Sequence, residues 1–289
     1  MSAVCQVHQS REVSGRKSLV TKALSRTWRQ SKGLFWIYIQ DGLAYKASGI
    51  IWVFTDVATA VTMPLVWLAA SRTGAISGYS GADLVLYYLC LLMLSSFIVC
   101  HFMWDISVEI REGVFSTHII RPVGYLWFIM VRNFAWRCVR CMIFLPWFLV
   151  ILWFYAPSLG AVHLNLGWTF WASVILGHFV SVAFVTALAM LALITQEAQA
   201  IFELYYLPML FLSGNLFPLA LLPQWARNVG HALPFYYTTG APTEILIGRV
   251  TGPDVYPVLL GQLAWFFGSL LMFKLLWKLG MKHYTGVGM

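Results

Sequence analysis

Six apolar stretches constrain this chain more than any other feature, because each approaches the ~20 residues a helix needs to cross a hydrocarbon core of roughly 30 Å. They run roughly over Gly49–Ala70, Leu84–Trp104, Val139–Tyr155, Trp168–Ile194, Ile201–Leu222 and Val258–Leu279. The third is short unless it begins near residue 137, and the fifth is interrupted by Pro208 and by Ser213-Gly214-Asn215. Composition agrees: 60% of the 289 residues are hydrophobic and only 10% are charged, where soluble domains average about 25% charged. One water-soluble domain could not bury that much apolar surface, so an ordinary soluble enzyme is excluded. The expected fold is all-α, a polytopic membrane protein with six transmembrane helices. A basic tail over residues 1–33 precedes a single membrane domain over 34–289, with no internal repeat and no low-complexity linker.

The placement of charge sets an expected orientation. Residues 1–32 carry seven basic side chains against the single acid Glu12, with no apolar run after Met1, so no cleavable leader is expected. Such a tail stays cytoplasmic, and six crossings return the C-terminus to the same side. The tail, Lys46, the 105–140 connection with Arg132 and Arg137, and Lys274, Lys278 and Lys282 hold 16 of the 19 basic residues on that side. Only Arg72, Arg227 and Arg249 fall outside. Nucleic-acid binding by the tail is set aside, because the positive-inside rule already accounts for it. Between tail and first span, Leu34–Lys46 is too short to cross but aromatic enough to lie in the headgroup plane as an interfacial helix.

Two connections are longer than a hairpin requires. The expected cytoplasmic one, about Asp105–Arg137, places acids at 105, 109 and 112 beside apolar residues at 106, 110 and 114, a helical spacing. Gly113 can end that helix and Pro122 stops the next segment. The result is a short helix, a bend and a second short segment, which either offers a surface to a partner or only joins two spans. The expected external connection, Ser213–Pro257, is rich in Pro and Gly. Non-helical backbone at membrane depth needs protein or water to satisfy it, so short helices dipping in from outside, with Gly214, Asn215 and Pro218 at an external gate, are one reading. An extracellular cap over the helix ends is the other.

Ionisable residues within spans normally face protein or water. Asp56 shares a polar stripe with Thr59 and Thr62, which fits a substrate pathway or an inter-subunit seam as well as an interhelical hydrogen bond. Glu197 and Glu203 flank a short turn after the fourth span. Gly78-Tyr79-Ser80-Gly81 matches an intramembrane serine-protease motif by letter, with His178 as a conceivable partner, but its position in an external turn argues against that chemistry. His101 and Asp105 sit one turn apart without further ligands at metal spacing. Cys5, Cys90, Cys100, Cys138 and Cys141 are expected to be packing residues without a disulfide.

The charged helix, then Gly113, then a stretch closing in Ile120-Arg121-Pro122-Val123 resembles the cytoplasmic segment of type-2 ABC exporter permeases, particularly a six-span bacterial branch. The interfacial helix and Leu212-Ser213-Gly214-Asn215-Leu216-Phe217-Pro218 are similar to that family's pattern from about Leu34 onward. The resemblance implies a coupling helix seated in a separate ATPase subunit, carried by Glu109, Arg111, Glu112, Gly113, Phe115, His118, Arg121 and Pro122. It also implies two ATPase copies, a second permease chain, identical or paralogous, and residence in the bacterial inner membrane. The chain has no Gly-x-x-x-x-Gly-Lys-Ser/Thr loop, so ATP and Mg are expected in the partner and no cofactor or metal in this chain. An unidentified, amphipathic or lipid-like substrate is the expected cargo. The alternatives are an ion-gradient transporter using Asp56, whose usual repeats are not seen, and a structural membrane scaffold.

Overall fold

The computed structural model describes residues 27–284, apart from Tyr45, Ala75, Ser77, Gly160, Ala161, Gln196 and Glu197, and without the side chains of residues 46–50, 52, 53, 55, 56, 60, 73, 198 and 199. The basic tail to residue 26, with Cys5, and Glu197 therefore lie outside the described residues. Every regular element among the described residues is helical. After α1, over residues 27–44, come α2 (Lys46–Ala70), α3 (Gly81–Ile98), α4 (Met103–Arg111), α5 (Phe115–Ile119) and α6 (Tyr125–Tyr155). They are followed by α7 (Trp168–Ala189), α8 (Ala192–Thr195), α9 (Ala198–Leu212), α10 (Gln224–Ala232), α11 (Pro234–Thr238), α12 (Gly240–Leu246) and α13 (Val255–Gly280).

Among the described residues, four helical stretches are long and apolar enough to cross a membrane: Gly81–Arg111, Tyr125–Ser158, Trp168–Thr195 and Gly252–Gly280. At the first and fifth expected positions stand the shorter apolar stretches Val57–Ala70 and Ala200–Leu212. The other boundaries move for local reasons. α9 stops at Leu212, ten residues before the expected limit, because Ser213-Gly214-Asn215 breaks the helix with Gly214 at φ +88°. α6 begins at Tyr125 instead of near 137, since nothing after Gly124 opposes helix and the face bearing Tyr125, Phe128, Ile129 and Asn133 is buried. Arg132 and Arg137 thus belong to a long helix, not to a loop.

α7 is the central post, with α13 along one side and α3, α4, α11 and α12 packed around it. α1 lies against α6: Ile39 joins Ala135 and Val139 in one cluster, and a Cβ at Gly42 would meet Val139 Cγ2 at 3.1 Å. The largest core gathers at one end of the bundle from α4, α5, the start of α6 and the ends of α7 and α13, with Met103, Ile106, Phe115, Ile129 and Met190 fully buried.

Candidate functional site

The α4–Gly113–α5 elbow forms that end. α4 is amphipathic and buries Met103, Ile106, Ser107 and Ile110. Gly113 adopts φ +75°, the left-handed turn conformation that a residue without Cβ takes at least cost. α5 then inserts Phe115, with no exposed surface, among the rings of Tyr125 (5.0 Å between centroids), Tyr284 (5.4 Å) and Trp277 (5.7 Å). Ser116 Oγ lies 2.7 Å from Tyr284 Oη and adds a polar tie to the chain after α13.

Charge holds the elbow from inside. Arg132 Nη1, on α6, donates to Glu109 Oε1 at 2.6 Å, and His118 Nε2 lies 3.4 Å from Glu109 Oε2. The His118 ring packs on Phe128 at 4.6 Å, and the Arg121 guanidinium stands 5.2 Å over the same ring. What faces outward is a short tip: Arg111, Glu112, Val114, Thr117, Ile119, Ile120, Arg121 and Pro122 are exposed, with Ile120 at 83%.

Directly behind the elbow, the helix formed by α3 breaks. α3 ends at Ile98, and its last carbonyls need partners from elsewhere. Arg137 Nη1 of α6 donates to Ser96 O at 2.9 Å. His178 of α7 approaches Ile98 O through Nδ1 at 3.2 Å, and its Nε2 lies 3.2 Å from Asn133 Nδ2. Because a carbonyl only accepts, Nδ1 carries the proton and Nε2 accepts from Asn133. The amide of Cys100, within the break, donates to Ser181 Oγ at 3.0 Å. A guanidinium at the negative end of α3 is electrostatically favourable there, and its burial to 8% exposure makes that contact stronger than in water.

At the opposite end, the irregular backbone after α9 is satisfied by side chains of α3 and by the short helices. Tyr87 Oη donates to Gly214 O at 3.0 Å, and Tyr88 Oη to Leu216 O at 2.7 Å while accepting from Trp67 Nε1 at 2.8 Å. Thr239 Oγ1 donates to Ser213 O at 3.2 Å, and Asn215 Nδ2 to Ser213 Oγ at 2.8 Å. α11 wedges between α7 and α13: Gln262 Nε2 donates to both Tyr237 O and Ser173 O at 2.9 Å. A Cβ at Gly177, midway along α7, would meet Thr238 O at 2.6 Å, so glycine is what admits α11 to that depth.

The family model for ABC-2 family transporter proteins matches residues 57–288. The chain belongs to that family. None of the curated proteins matches it. It is therefore a multi-pass ABC-2 permease, a kind of subunit that is normally non-enzymatic and works with an ABC ATPase subunit. Membership does not favour the gradient-driven alternative.

The permease does not present the sequence-derived coupling residues as one outward surface. Glu109, Phe115 and His118 turn inward and brace the elbow, whereas Arg111, Glu112, Arg121 and Pro122 stay at the tip beside the partly exposed Gly113. Of the expected gate residues, Gly214 and Pro218 are buried and Asn215 is half-buried, all in the junction between α9 and α10. Thr59 and Thr62 are exposed on α2, and Thr62 Oγ1 bonds Ala58 O at 2.8 Å within its own helix. Asp56 lies on α2, but its side chain is outside the described residues. Ser80 is the N-cap of α3 and exchanges bonds with Asp83 in a capping box, about 27 Å along α3 from the end that His178 holds, at 1.5 Å rise per residue. The two cannot form a catalytic pair. Cys90 and Cys100 are buried and, like Cys138 and Cys141, are free thiols. Sequence reading missed the roles of Arg132, Arg137 and Asn133. The available signal was that polar residues at 132, 133 and 137 continue the apolar pattern of the third span at helical spacing, which places them on its inner face.

Proposed function

We propose that this chain is the membrane-spanning half of a bacterial ATP-driven exporter, with two permease chains side by side above two ATPase subunits. In this reading α2 and α9 supply the first and fifth of six crossings. α2 has 25 residues, about 37 Å at 1.5 Å rise per residue, and the short run of α9 is completed by the bonded backbone at 213–218. The 16 to 3 distribution of basic residues supports an orientation with both chain ends and the elbow at the cytoplasmic face of the inner membrane. α10–α12 are then the external re-entrant helices that close the outer end.

The observation that carries the reading is the elbow: a charged and apolar tip on a support that cannot yield independently of the bundle. ATP and Mg bind in the partner, whose closure presses on Arg111, Glu112, Thr117 and Ile120. The load passes through Glu109–Arg132 into α6 and through Phe115 into α13, shifting the packing between protomers and changing access to a path between them. Thr59 and Thr62, on the exposed face of α2, belong to that seam, with Asp56 on the same stripe. The apolar, aromatic spans suit an amphipathic or lipid-like substrate.

Purification from native membranes in mild detergent, followed by identification of the bound subunits, tests this. The expected result is a stoichiometric ATPase subunit carrying Walker sequences and lost on substitution of the tip. Full transport by the chain alone in vesicles, with no nucleotide requirement, overturns it.

A further inference from the structure

Beneath the tip, an open cleft of about 330 Å³ is lined by His118, Ile119, Arg121, Pro122, Val123, Gly124, Tyr125 and Trp277. Its polar groups are not consumed by the fold. His118 is 7% exposed, its Nε2 lies 3.4 Å from Glu109 Oε2, and neither ring nitrogen has a hydrogen-bond partner among the described residues. Tyr125 is 7% exposed too, and its hydroxyl is likewise unpartnered. A buried polar group left unmatched is costly, so such groups commonly mark a site that something else completes. Arg121, held over Phe128, brings a full positive charge to the same cleft.

The surroundings narrow the chemistry. On α13, Trp277 enters the cleft wall while Lys274, Lys278 and Lys282 are exposed along one stripe at four-residue spacing. That stretch follows an apolar span, and Ile119, which lines the cleft, exposes apolar surface there. Cations, an indole and apolar side chains at the end of a membrane helix are the elements that recognise an anionic headgroup while its acyl chains remain in the bilayer.

We propose that this cleft binds the phosphate of an anionic phospholipid, with the Arg121 guanidinium as its charge partner, the Tyr125 hydroxyl as a donor, and Trp277 against the glycerol region. A lipid so placed would wedge between the elbow and α13, so its presence would stiffen the element that takes the partner's load. The proposal rests on the elbow being the cytoplasmic, membrane-level end described above. Its test involves neither ATPase nor transport, so failure here and failure of the exporter reading are distinguishable.

The test is native mass spectrometry of the full-length chain in detergent, titrated with phosphatidylglycerol or with phosphatidylcholine. Wild type should retain one more phosphatidylglycerol than the Arg121→Gln variant, whose affinity for that molecule should fall about fivefold or more. Tyr125→Phe removes a hydroxyl that the empty fold does not use, so it should weaken the same binding while leaving the lipid-free thermal midpoint unchanged or higher. Arg72→Gln, at the opposite end of the bundle, should keep the wild-type count. Equal retention by Arg121→Gln and wild type overturns the proposal, as does a site that takes phosphatidylcholine equally well. Displacement of the lipid by inorganic phosphate at matching concentration also overturns it, since the site would then hold a free anion and not a lipid.

Discussion

Arg132 Nη1 lies 2.6 Å from Glu109 Oε1, a bond between α6 and α4 whose two side chains are only 15% and 18% exposed. It joins the helix nearest the proposed partner to the longest helix of the bundle. Burial makes the pair rigid and makes either residue alone costly.

Glu109→Gln leaves the Arg132 charge half-buried without its counterion, and should destabilise the protein by about 3 kcal/mol. Glu109→Gln combined with Arg132→Met removes both charges and should be less damaging than Glu109→Gln alone. Thermal unfolding of wild type, Glu109→Gln, Arg132→Met and the double variant in one detergent checks this; additive losses would show that the two residues do not act as a pair.

Arg111 and Glu112 are exposed and sit just before the bend. Replacing both with Ala should change stability by no more than about 0.5 kcal/mol, the usual range for surface positions. The same variant should reduce ATP hydrolysis stimulated by the permease in a reconstituted complex. Unaltered stimulation would remove the tip from the coupling path.

Gly214→Ala combines two penalties: a left-handed backbone at φ +88° and a Cβ driven into the Tyr87 hydroxyl. The backbone alone should cost about 1 kcal/mol, and the clash adds to it. Tyr87→Phe relieves the clash but not the backbone, so the double variant should recover part of the loss in thermal midpoint. No recovery would place the cost elsewhere.

Glu244 is 8% exposed in α12 and accepts from Tyr236 Oη at 2.6 Å. Burial pushes its carboxyl above the ordinary carboxylate range, against the opposing pull of that hydrogen bond and of Arg249; Tyr79 and Tyr87 are the other titratable groups facing it. A raised acid is stabilising when protonated: the contribution is complete below the unfolded value and is lost as pH rises through the folded one. The thermal midpoint should therefore fall as pH rises out of the acid range, and Glu244→Gln should flatten that slope. An unchanged slope would sink the assignment.

The amino-acid sequence alone determined that this is a helical membrane protein, because runs of apolar residues near twenty long have one solution in lipid: the hydrogen-bonded helix. It also marked turning points at Gly113 and Ser213-Gly214-Asn215, whereas Pro208, expected to interrupt the fifth stretch, lies inside α9. The beginning of α6 was misplaced because its first turns carry charges, which read as loop until the bundle is seen to bury them. Which faces meet was decided only by the tertiary structure. α3 and α7 are apolar nearly all round, and lipid and protein interior are equally apolar, so periodicity does not tell one from the other. Glu109 and Arg132 are 23 residues apart, and Ser96 and Arg137 are 41 apart. Their pairing, and with it the division of the elbow into an inner brace and an outer tip, follows from how three helices pack and from no spacing along the chain.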